Sequence, residues 1–114
     1  MSIQEVNYDI MQGDTWQITI PATDIFGNTI TNFSNYSFTV QVRDKEGGNT
    51  LCATASLGHG ITTGSGTITI NLSPTQTAAF NIPKSVYQIQ LTDPSSNKKT
   101  LQTGWFQVHP SVIK

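Results

Sequence analysis

Cysteine is all but missing from this chain, which has a single one, Cys52. It has no partner for an internal disulfide, so the fold must rest on its core; Cys52, in the small-residue run CATA, is expected to be buried and reduced. Charge is scarce as well: Asp, Glu, Lys and Arg make up 11% of the residues and sum to −1. The six cations are scattered, and only Lys98-Lys99 and Arg43-x-Lys45 lie close together. Nucleic-acid binding would want a basic stripe, so no nucleic-acid partner is expected. No apolar run approaches the roughly 20 residues of a membrane span, and MSIQEVNYDIMQGD carries no basic segment followed by an apolar one. Neither a membrane partner nor a secretory signal is therefore expected.

Catalytic constellations are also missing. His59 lies in the glycine-flanked LGHG and His109 stands before Pro110. Neither is near Cys52, and neither has the close spacing of a metal-ligand pair. The seven carboxylates never gather into a calcium loop or a paired acid and base. No glycine-rich phosphate loop precedes a helix. Three Asn-x-Ser matches, at Asn32, Asn35 and Asn71, are no more than so much Asn, Ser and Thr produces by chance. The expectation is a protein that is not an enzyme and has no cofactor and no metal.

What is abundant is uncharged polarity: Ser, Thr, Asn and Gln supply 44 of 114 residues, and Thr alone 17. Threonine is stiff at χ1 and favours strands. Apolar residues alternate with polar ones at Val6, Tyr8, Ile10, at Trp16, Ile18, Ile20, at Phe38, Val40, Val42, at Ile68, Ile70, Leu72 and at Tyr87, Ile89, Leu91. A weaker run covers Leu51 to Ala55, and Leu101, Phe106 and Val108 carry the last strand. A bulge at Gly104 would turn Phe106 and Val108 inward and Trp105 outward. Turns punctuate these runs at Asp24–Asn28, Lys45–Asn49, Thr63–Gly66 and Asp93–Ser96. Short strands with turns every eight to twelve residues predict an all-β, immunoglobulin-like two-sheet β-sandwich of about seven or eight strands, one domain over residues 1–114.

One stretch breaks the pattern. In LSPTQTAAF, Ser73 suits an N-cap, Pro74 the first turn and Gln76 the capping-box position. The spacing predicts one short helical turn between late strands, crossing from sheet to sheet, with Ala78, Ala79 and Phe80 as an apolar plug. Tyr87, two residues before Ile89, is either a tyrosine corner bonded to backbone a few residues upstream or an ordinary half-buried strand tyrosine.

Taken together, Q-G-D-T at Gln12, D-x-x-G at Asp24, NYSFTVQVRDKEGG from Asn35, G-x-G-T-I-T-I-x-L-S-x-x-Q-T-A-A from Gly64, V-Y-x-I-Q-L-T-D from Val86 and T-L-x-x-G-x-F-x-V from Thr100 carry a resemblance. From Gln12 to Val108 the chain resembles small immunoglobulin-like virion proteins of tailed bacteriophages and is similar to the N-terminal domain of phage baseplate upper proteins. It departs at Gln88, where relatives often carry Asp, and at Asp93–Asn97, where many have Asp-Gly. The resemblance implies a non-enzymatic virion component assembled in the host cytoplasm. It would dock on a tail, baseplate or fibre attachment through contacts with other virion proteins and copies of itself; capsid decoration is the alternative.

Candidate contacts are the N-terminal arm with Val6, Tyr8 and Ile10, either the first strand of this domain or a strand added to a neighbour's sheet edge. The others are Trp105, Val112 and Ile113. Ser73, Pro74, Phe80, Tyr87 and Gly104 are expected to be structural. A carbohydrate-binding adhesion module is the rival reading, through Phe26, Phe33, Tyr36 or Trp105 with Asn32, Asn35 and Gln107 nearby.

Overall fold

The computed structural model describes residues 5–45, 48 and 50–112. Ile113 and parts of the Lys45–Asn49 turn and of the N-terminal arm lie outside the described residues. Eight strands and one short helix follow in order: β1 (Tyr8–Met11), β2 (Trp16–Pro21), β3 (Ser37–Arg43), β4 (Leu51–Leu57), β5 (Gly60–Thr63), β6 (Thr67–Leu72), α1 (Pro74–Ala78), β7 (Lys84–Thr92) and β8 (Lys98–His109). They form one hydrogen-bonded sheet in the order β1-β8-β7-β3-β4-β5-β6-β2, folded over on itself around a shared core. The fold is all-β.

Period-two alternation places the core. Phe38, Val40 and Val42 of β3, Ile68, Ile70 and Leu72 of β6, and Ile89 and Leu91 of β7 are all buried, each separated by a residue facing out. Trp16 and Ile20 close the core from β2. Phe33 and Tyr36 pack against its edge.

β5 has no clear signal in the sequence. It is four residues long, buries only Ile61, and is entered through Gly58 and Gly60, both at positive φ. The chain leaves β4, jogs, and pairs in parallel with its own preceding residues, Ser56 with Gly60 and Leu57 with Ile61. Among the described residues this short pairing is the only strand pairing between β1-β8-β7-β3-β4 and β5-β6-β2.

Another passage between these groups runs through α1, from β6 to β7. Ser73 Oγ accepts from the Gln76 amide (3.2 Å), and Gln76 Oε1 accepts from the Ser73 amide (2.9 Å). With Pro74 in the first turn, this is the capping box the sequence predicts. The plug differs from expectation. Ala78 and Ala79 face solvent, while Thr77 and Phe80 are buried. A single turn can bury only one side, and that side carries Thr77 and Phe80. The Thr77 hydroxyl donates to the Asp14 carbonyl (2.8 Å) and accepts from the Gly13 amide (3.1 Å), so burying it strands no polar atom.

The bulge in β8 sits at Leu101, not at Gly104. Ile89 pairs with Gln102 and Gln90 with Thr100, leaving Leu101 as the extra residue. From there Gln102, Phe106 and Val108 face the core and Trp105 faces out. Gly104 pairs regularly with Tyr87, and the reason for its glycine is close approach: a Cβ there would run into the Val6 carbonyl.

Candidate functional site

The N-terminal arm is not a free strand. β1 pairs in parallel with β8, from Tyr8 opposite Phe106 to Met11 opposite His109. Ile10 is buried, and Tyr8 packs on Trp16 edge to face with ring centroids 5.3 Å apart. Val6 donates its amide to Thr103 and accepts the Tyr87 hydroxyl at 2.6 Å. Adding Val6, Tyr8 and Ile10 to a neighbour's edge would break all of these contacts, so they belong to this domain's own sheet. Tyr87 is accordingly no local tyrosine corner: its acceptor lies 81 residues upstream.

Gln102 completes this buried cluster, donating to the Tyr87 hydroxyl (2.9 Å) and the Tyr8 hydroxyl (3.0 Å). Burial pushes the Tyr87 phenol up to about 12; the Gln102 hydrogen bond opposes that rise and the nearby Tyr8 adds to it. The folded state therefore holds this proton more tightly than the unfolded chain. Its contribution to stability is fully present below pH 10 and is lost as pH rises from 10 to about 12. Urea unfolding across that window should show the loss, and Tyr87→Phe should remove it. An unchanged slope in Tyr87→Phe would assign the loss to other groups.

Two surface features could act on a partner. The first is the tip between β2 and β3. Phe26 is 81% exposed there. Asp24 Oδ1 accepts from the amides of Phe26 and Asn28, both at 2.9 Å. Gly27, at positive φ, donates to the Asp24 carbonyl, and Lys99 Nζ clamps that carbonyl (2.7 Å) and the Thr23 hydroxyl (2.8 Å). The exposed ring thus stands on a fixed turn.

The second is the outward face of β3, β7 and β8, where side chains line up in rungs. Arg43, Val86 and Trp105 form one rung, and Gln41, Gln88 and Thr103 the next. Thr39, Gln90 and Thr100 form a third. Across the first two rungs runs a shallow groove of about 320 Å³, with Lys84, Lys45 and Glu5 on its walls. The Lys84 ammonium lies 4.8 Å from the centre of the Trp105 ring. Arg43 donates to Gln41 Oε1 (3.1 Å) and to the Gly48 carbonyl (3.4 Å), which orients its guanidinium.

Of the other sequence-predicted residues, Val112 is 93% exposed beyond β8. Cys52 is half-buried rather than buried. His59 is exposed, and the His109 ring meets Asp9 across an exposed pair at 3.2 Å. Among the described residues no three His, Cys, Asp or Glu side chains converge. The rungs escaped the sequence reading because Arg43, Gln88 and Trp105 come from three strands far apart in the chain. Period two marks each as outward, but only the order β8-β7-β3 brings them together.

No protein-family model matches the chain, and no curated protein does. Among solved structures, the extracellular domains 3–5 of Drosophila OTK align with 96% of this chain and 33% of that one, at 14% identity and a TM-score of 0.39. The chain spans about a third of the length of that structure, and a likeness this distant carries no argument.

Proposed function

We propose that the chain is an immunoglobulin-like two-layer sandwich acting as a non-enzymatic docking module of a tailed-phage virion, at a tail, baseplate or fibre attachment. In this reading β1-β8-β7-β3-β4 is one layer and β5-β6-β2 the other, joined by the short β4–β5 pairing, with α1 in one of the connections that cross between them. The sequence resemblance from Gln12 to Val108 supports it, and its most specific segment, LSPTQTAAF, is the capped crossover. Capsid decoration is the alternative placement.

The observation that carries docking is Phe26. A large ring held out in water on a turn with little freedom to fold it away costs solvation without adding to the core. Such rigid aromatics serve as interface anchors. The Phe26 turn is also tied to Lys99 near the start of β8, while the exposed Val112 follows the other end of that strand. Contacts at two such places, repeated by symmetry, need no single strong site.

Gradient-purified particles from a strain carrying the gene should contain the chain by mass spectrometry. Phe26→Ser should leave unfolding unchanged, because the ring is unburied, yet cut incorporation by roughly tenfold, the equivalent of one good anchor. Particles without the wild-type chain would rule the virion role out. Wild-type incorporation of Phe26→Ser would remove the tip as its anchor.

A further inference from the structure

We propose that the outward face of β3, β7 and β8 is a binding groove for an acidic oligosaccharide. A sugar ring stacks on Trp105, its acid group lies against Arg43 and Lys84, and the chain continues over Gln41, Gln88 and Thr103. This site is separate from the Phe26 docking tip and uses none of its residues.

Charge sets the acid. Among the described residues that line this groove, Arg43, Lys45 and Lys84 are cations and Glu5 is the one carboxylate, on a chain whose net charge is −1. Arg43 is oriented by the Gln41 and Gly48 oxygens. Lys84 lays its ammonium over the indole ring on a flexible stem; a sugar stacking on that face displaces it sideways and leaves it within reach of the acid the sugar carries.

The rungs set the sugar. Next to the indole the face offers mainly amides and hydroxyls; its aliphatic side chains are Val86 on the Trp105 rung and Leu51, which pairs with Arg43 from β4. A protein partner would want further apolar anchors around the tryptophan. Sugar hydroxyls both donate and accept, and glutamine amides answer both roles. The indole face supplies what remains, an apolar platform with negative π-density for the C–H side of a pyranose. From the Arg43 rung to the Thr39 rung is four residues of strand, about 13 Å, the run of a short oligosaccharide.

The test is an NMR titration of the full chain with three probes: trigalacturonate, neutral maltotriose and a glutamate-rich hexapeptide. Trigalacturonate should shift the Trp105 indole and the amides of the three rungs saturably. Maltotriose should shift the same signals more weakly, and the peptide should not. Trp105→Ala should weaken trigalacturonate roughly tenfold, and Arg43→Gln should bring it down towards maltotriose. Gln88→Ala, at an exposed side chain, tests the same face should Trp105→Ala lose its fold. No saturable shift with trigalacturonate, shifts mapping elsewhere, or unchanged affinity in both Trp105→Ala and Gln88→Ala would overturn the proposal. Peptide binding equal to or tighter than trigalacturonate would make this a protein-docking face. Particle incorporation is read separately, so either proposal can fail without the other.

Discussion

Gly104→Ala should lower stability by about 3 kcal/mol, combining overpacking with buried hydrogen bonds left unmade. The added methyl points at backbone, the Val6 carbonyl, which no rotamer change can move aside. Moving Val6 back would pull its amide from Thr103 and its carbonyl from the Tyr87 hydroxyl. It would also strain the neighbouring bond from the Trp105 amide to Asn7 Oδ1 at 3.0 Å. The buried Tyr87 hydroxyl would then lose its acceptor. The loss should therefore appear locally as well as globally. Urea unfolding should report the free energy, and amide hydrogen exchange should accelerate along β1 before it does in β3 or β7. A variant as stable as wild type, with β1 still protected, would refute this account of the glycine.

Phe106→Ala should cost about 3–5 kcal/mol, the range for emptying a buried aromatic site. The ring is fully buried and joins four elements. It meets Trp16 of β2 edge on (5.0 Å between centroids), Tyr87 of β7 at 4.9 Å and Phe80, just past α1, at 5.2 Å; Tyr8 of β1 lies 6.1 Å away. Aromatic neighbours are stiff and cannot collapse far into the space. A domain with 5–15 kcal/mol in total would lose a large part of it, and the melting temperature should fall by about 15 °C. The adjacent Trp105→Ala, on the outward face, should cost about 1 kcal/mol or less. Calorimetry of the two variants decides the matter, and equal losses would contradict the assignment of Phe106 to the core and Trp105 to the surface.

The contrast between these two neighbours also marks how far the sequence reaches. Alternation in β3, β6 and β7 was legible because period two is a local property of a strand with one face buried. The capping box at Ser73 was legible because its hydrogen bonds close within four residues. The tip at Asp24–Asn28 was legible for the same reason. Phe106 was correctly expected inside and Trp105 outside, but the bulge was assigned to Gly104, the residue type that most often marks one. It falls at Leu101, where the phase change lets Gln102 reach Tyr8 and Tyr87. That requirement lies in partners 94 and 15 residues away, and no local rule contains it. The four-residue β5 was missed because one buried isoleucine between glycines has no period to detect.

By itself, then, the sequence determined the all-β class, most strands, the inward residues and the capped crossover, because each depends on spacing along a few residues. The tertiary structure alone decided that β1 belongs to this domain, that Gly104 makes room for Val6, and that Thr77 rather than two alanines seals the crossover. It also set Arg43, Gln88 and Trp105 side by side. These depend on strand order and on which backbones approach one another, which the pairing of distant segments sets and local spacing does not encode.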